Sequence, residues 1–112
     1  MGYGSIMDVL DKAIEHFDSF EVQQIEVPEW DCTVYYTPFT LAEKKKLLKF
    51  AKSDDIEFLI RTLILKAKDA QGESMFDVSD RVTLLNKVSD VVITRIVNEI
   101  SAVPEVDEQL GN

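Results

Sequence analysis

Apolar positions follow a helical period along most of the chain, but between Phe20 and Thr37 a two-residue period takes over. Ile6, Leu10, Ala13, Ile14 and Phe17 share one helix face. Ser5 and Asp8 stand before them as a capping box, in which a hydroxyl and a carboxylate satisfy orphan amides reciprocally. The spacing predicts a short amphipathic helix over roughly 6–18. Val22, Ile25 and Val27 then lie in a β-rich stretch whose spacing slips by one residue after Val22, which predicts an irregular or bulged strand. Pro28-Glu29-Trp30-Asp31 reads as a turn, because proline fixes φ and cannot continue a ladder. Cys32, Val34 and Tyr36 alternate with Thr33, Tyr35 and Thr37, the strongest strand signal in the chain. The two strands predict one hairpin, which needs helices packed on it to be stable.

The remaining stretches return to the helical period. Thr40 and Glu43 form a capping box, and Leu47, Leu48, Phe50 and Ala51 predict an apolar stripe opposite Lys44, Lys45, Lys46 and Lys49. Asp54 and Glu57 open the next helix. Its apolar residues, from Ile56 to Ala67, cover nearly the whole circumference, as in a central helix touched on several sides. Asp69 to Ser74 reads as a turn around Gly72. Asp77 and Asp80 fit the N-cap and N3 of a short helix carrying Val82, Leu84 and Leu85, and Ser89 caps a last helix carrying Val92, Ile93, Ile96, Val97 and Ile100. The predicted fold is α+β and mostly helical, with one short β-hairpin packed against three to five helices. Residues 1–103 form a single globular domain on this reading, and the acidic stretch 104–112 is expected to be disordered.

Composition narrows the chemistry. Of 112 residues 46% are apolar and 29% charged, which suits a packed domain, and 12 Lys+Arg against 21 Asp+Glu leave a net charge of −9. That field repels phosphate backbones and anionic headgroups, so neither nucleic acid nor a membrane surface is an expected partner. The longest apolar run, near Phe58–Leu65, is interrupted by Arg61 and Thr62 and is too short to span a bilayer. With one cysteine and no signal-peptide pattern at Met1–Ser5, a reducing intracellular location is expected. His16 and Cys32 are the single residues of their types. His16 has no positioned partner in sequence, and Cys32 lies on an apolar strand face, where a free thiol behaves as a small hydrophobe. Asp69, Gln71 and Glu73 hint at a calcium loop, but Gly72 falls at position 4 rather than 6, so the segment reads as a turn. No enzymatic constellation, cofactor site or metal site is expected.

Two features suggest contact with other proteins. Lys44-Lys45-Lys46 with Lys49 is the one basic cluster, read either as a solvated face or as a docking face for an acidic partner helix. Trp30 and Tyr35 are the candidate aromatic anchors: Trp30 serves either the core or an interface, and Tyr35 shares its strand face only with Thr33 and Thr37. The candidate partner-binding residues are therefore Trp30, Tyr35, Lys44 and Lys45.

The order of short motifs resembles a known family. Asp11-Lys12-Ala13 leads through an acid-rich connector to Ile25-Glu26-Val27-Pro28-Glu29-Trp30, then to Thr33-Val34-Tyr35-Tyr36 and Phe39-Thr40-Leu41-Ala42-Glu43. Asp69 to Phe76 follows, in a D-x-x-G-x-x-x-F pattern, and Leu84-Leu85-Asn86-Lys87-Val88-Ser89 leads into the last helix. This series, over roughly residues 9–101, is similar to the tail assembly chaperones of long-tailed bacteriophages and prophages. Thr37 stands where the family often has a basic residue, and Asp31-Cys32 where small residues are common.

The resemblance implies a non-enzymatic protein of the bacterial host cytoplasm, absent from the mature virion. Such a protein would bind the tape-measure protein while the tail tube polymerises. A longer frameshifted product would recruit the tail-tube protein, and a homo-oligomer stays open. The alternative from another class is an acidic decoy that occupies a nucleic-acid-binding protein, with Lys44–Lys46 against it.

Overall fold

The hairpin and the helices form where caps and periodicity place most of them. The computed structural model describes residues 2–102, and the acidic stretch 104–112 lies outside the described residues. The order is α1 (Gly2–Asp18), β1 (Gln23–Val27), β2 (Cys32–Tyr36), α2 (Leu41–Ala51), α3 (Asp55–Lys66), α4 (Arg81–Lys87) and α5 (Asp90–Ser101). Single 3-10 turns at Pro28–Trp30 and Val78–Asp80 precede β2 and α4. The fold is α+β and mostly helical, with one two-stranded antiparallel hairpin.

β1 and β2 pair without an extra residue, from Gln23 opposite Tyr36 to Val27 opposite Cys32. The expected bulge is therefore absent. Val22, which suggested it, lies before the strand and is exposed, so its spacing carries no register information. Ile25, Val27, Val34 and Tyr36 point to the core, and the Tyr36 hydroxyl donates to the Glu99 carbonyl of α5 at 3.1 Å. The turn closes through Asp31, whose φ of 53° lies in the left-handed region that Asp tolerates better than most residues. Outside β2, Lys68 exchanges both backbone hydrogen bonds with Tyr35 at 2.8 Å and so covers part of that strand's edge.

Three helix starts follow their caps. Thr40 Oγ1 accepts the Glu43 amide, and the Glu43 carboxylate accepts the Thr40 amide. Asp54 and Ser89 cap α3 and α5 through the amides of Glu57 and Val92. α1 departs from expectation: it begins at Gly2, so Ser5 lies inside the helix and not at its N-cap. Before α4, the Asp80 carboxylate accepts the Asp77 amide at 2.9 Å, but Val78–Asp80 winds as a 3-10 turn and Arg81 starts the α-helix.

The core lies between the hairpin, α3 and α5. α3 packs against α2, α4 and α5, and its Ile60, Leu63 and Lys66 are buried. α5 buries five residues, Val92, Ile93, Ile96, Val97 and Ile100, against four in α3, where Thr62 is the fourth. The apolar stripe of α2 is narrower than its sequence suggests. Leu47 and Ala51 are buried one turn apart, whereas Leu48 and Phe50 are 57% and 49% exposed. α4 likewise buries only Leu84.

Leu63 is fully enclosed, so Leu63→Ala should lower unfolding free energy by about 2–5 kcal/mol in a urea titration. Leu48→Ala should change it by less than about 0.5 kcal/mol. Equal losses at the two positions would contradict this placement of the core.

Candidate functional site

The four residues nominated for partner contact occupy different surroundings. Trp30, in the hairpin turn, is half-buried and meets Phe76 edge-on at 6.0 Å between ring centroids. With Cys32, Met75 and Leu84 it lines an apolar cavity of 350 Å³. Tyr35 lies toward the open end of the hairpin, opposite Gln24 in register and with both its backbone hydrogen bonds going to Lys68, and its side chain is half-buried. Lys44 stands 5.9 Å from the centroid of Phe39 and lines a second cavity, of 340 Å³, with Phe17, Phe39 and Ile100. Lys45 is exposed on α2. Trp30 and Lys44 thus border separate cavities.

Two surfaces emerge that sequence reading did not single out. On α1, Val9, Leu10, Ile14 and Phe17 are all exposed, from 66% at Val9 to 37% at Phe17. The sequence supplied the stripe; what it faces was not encoded in its period. A contiguous exposed apolar stripe of this kind marks a contact surface. The second is a groove of 410 Å³ between α2, α3 and the segment 74–78. Ile64 and Leu65 of α3, Phe50 of α2 and Phe76 contribute its apolar lining, with Lys46 at its border. The signal for it lay in α3, which is apolar on more sides than α2, α4 and α5 cover.

Ion pairs fix the frame around these surfaces. The Glu57 carboxylate accepts from Arg61 Nε, one turn along α3, and from Arg81 Nε at the start of α4, both at 2.7 Å. Arg81 Nη2 also donates to it. The two guanidiniums, Arg81 foremost, hold the Glu57 carboxyl down at about 2. Arg95 of α5 grips Glu29 of the hairpin turn in bidentate fashion at 2.7 and 2.9 Å, and this lowers Glu29 to about 2 as well. Burial, and then the Asp31 charge, push the Cys32 thiol up.

The remaining chemical candidates are engaged locally. The His16 ring meets Phe20 edge-on at 5.0 Å, and Ser19 Oγ donates to the His16 carbonyl. Asp69 Oδ1 accepts the amides of Gln71 and Glu73, and Gly72 takes φ +84°, so this segment folds as a turn closed on its own aspartate. Among the described residues, no three His, Cys, Asp or Glu side chains are grouped to hold a metal ion. No helix among them is long and apolar enough to cross a membrane.

No protein-family model matches the chain, and no curated protein matches it in sequence. Among solved structures, the chain is similar to that of the bacteriophage HK97 tail assembly chaperone, with a TM-score of 0.59 and 14% identity. The match covers 80% of this chain and 91% of that one. At this identity the likeness is one of fold.

Two outcomes follow from the electrostatics. Glu57 is lowered on folding from 4.5 to about 2, so its contribution is fully present above pH 4.5 and is lost as pH falls toward 2. Glu57→Gln should therefore be less stable than the parent at pH 7, with the gap closing across that window. A gap of constant size in pH-resolved denaturation would disprove the linkage. Cys32, with its raised pKa, should react with a maleimide at pH 7 more slowly than free cysteine and regain that rate in urea.

Proposed function

We propose that this chain is a non-enzymatic phage tail assembly chaperone whose client is the tape-measure protein. The fold likeness to the HK97 tail assembly chaperone carries the reading, because it spans most of both chains. The ordered motifs from Asp11 to Ser89, which resemble the same family, support it. The protein would act in the bacterial host cytoplasm and leave before the virion is complete, and a longer frameshifted product would engage the tail-tube protein. Exposed apolar surface within a chain of net charge −9 suits a soluble binder of an aggregation-prone client. Within this reading Trp30 and Tyr35 supply aromatic contact area, and Lys44 and Lys45 govern encounter through their charge.

Co-expression with segments of a tape-measure protein, followed by purification through a tag on this chain, tests the proposal. A segment should co-purify and stay soluble only when this chain is present. Failure of every segment to do so would overturn the assignment. Tyr35→Ala should weaken capture with the fold intact by circular dichroism. Lys44→Glu combined with Lys45→Glu should slow association chiefly at low salt.

A further inference from the structure

The groove beside α2 combines apolar depth with a local charge opposite to that of the whole chain. Its lining is aliphatic at Leu47, Ile64, Leu65 and Val78 and aromatic at Phe50 and Phe76. Three cations border it. Lys46 has no ion pair among the described residues. Lys68 Nζ donates to the neutral Ser74 hydroxyl at 3.1 Å and has no carboxylate partner among the described residues. Arg61 lies 4.8 Å from the Phe50 ring centroid and shares one carboxylate, Glu57, with Arg81, so two guanidiniums face a single negative charge. Asp77 is the one acid in the lining; its carboxylate accepts the Ser79 hydroxyl and keeps its negative charge, so three cations stand against one anion. Lys45, Lys49 and Lys52 extend the positive field along α2.

We propose that this groove receives an acidic amphipathic helix from a partner protein. On the chaperone reading, on which this assignment of the client rests, that names the class of client segment bound. α2 and α3 supply two of the walls, and the bridge residues Lys68 and Ser74 on the remaining side are already paired with Tyr35 and with each other, so an occupant would lay an apolar helix face between α2 and α3. Acidic residues flanking that face meet Lys46, Arg61 and Lys68, while the acidic remainder of the surface repels them elsewhere. Charge thereby fixes where the helix lands and in which register. A nucleic acid fits poorly, because the chain as a whole is negative and repels a phosphate backbone.

The test is a fluorescence-anisotropy titration of the full chain with a labelled peptide of about 15 residues, helical and apolar on one face, with Glu flanking that face. The same peptide with Lys in place of Glu, and a single-stranded oligonucleotide, are the competing ligands. The acidic peptide should bind, and binding should weaken as salt rises. Lys46→Glu with Lys68→Glu should raise its Kd about tenfold or more, as should Val78→Asp. Lys12→Glu with Lys87→Glu, which changes net charge equally but lies outside the groove, should raise it by less than about threefold. Equal or tighter binding of the basic peptide or the oligonucleotide overturns the proposal, as does an unchanged Kd in the groove variants. The two readings fail separately. A tape-measure segment captured equally by parent and groove variants sinks the groove assignment alone. Groove-dependent binding of the acidic peptide without capture of any tape-measure segment sinks the chaperone reading alone.

Discussion

The buried ammonium of Lys66 is the constraint around which the rest of this fold is arranged. It sits at the last turn of α3 and is 3% exposed. A charge in such a place is tolerated only when its donors are satisfied, since an unpaired buried ion costs several kcal/mol. Lys66 Nζ donates to Thr37 Oγ1 and to the Pro38 carbonyl at 3.3 Å, and to Glu43 Oε1 at 2.9 Å. The Phe39 ring lies 5.3 Å from it. These partners belong to the end of the hairpin, the connector and the first turn of α2. One side chain therefore fixes where α2 starts relative to α3. Glu43 serves it and the Thr40 cap with the same oxygen, so local helix initiation and long-range docking are coupled.

The three arginines play the matching role elsewhere, and each is paired with a carboxylate. Arg61 and Arg81 share Glu57 and so join α3 to α4, while Arg95 holds Glu29 and joins α5 to the hairpin turn. A planar guanidinium suits such junctions because its fork fixes direction as well as distance. Lysines are placed differently. Four of the nine lie exposed on α2, where a flexible, hydrated charge steers an encounter and orders little. Arginine thus anchors the frame and lysine colours its surface, which lets an acidic chain keep one positive flank.

What the sequence disclosed was whatever a single turn of helix or a pair of strands decides. Thr40, Asp54 and Ser89 cap helices because hydroxyl and carboxylate reach amides two or three residues ahead, and that reach is readable from spacing. The alternation from Cys32 to Tyr36 was legible for the same reason. Lys66 was not, because its partners lie 23 to 29 residues away and nothing in its neighbourhood marks it as buried. Val22 and Leu48 misled in the opposite sense: Val22 suggested a slipped strand and Leu48 fits the helical period of α2, yet both are more than half exposed. The groove was hidden likewise, since it exists only where packed elements leave part of α3 uncovered. Trp30, Tyr35, Lys44 and Lys45 are close in sequence, but hairpin and helix carry them to separate surroundings.

The way α5 closes the core also has a consequence for how the chain is made. The apolar face of the hairpin is complete once Tyr36 has been added, but the Tyr36 hydroxyl finds its carbonyl partner 63 residues later, and α5 supplies five of the buried side chains. At a synthesis rate of roughly 5–20 residues per second, that face waits several seconds on the ribosome for its cover. During this interval α2 and α3 carry their caps at Thr40 and Asp54 but lack the packing of α5, from which most helical stability in a protein comes. The hairpin face thus stays uncovered at least until residues 90–101 have been made, so translation sets a lower limit on its exposure.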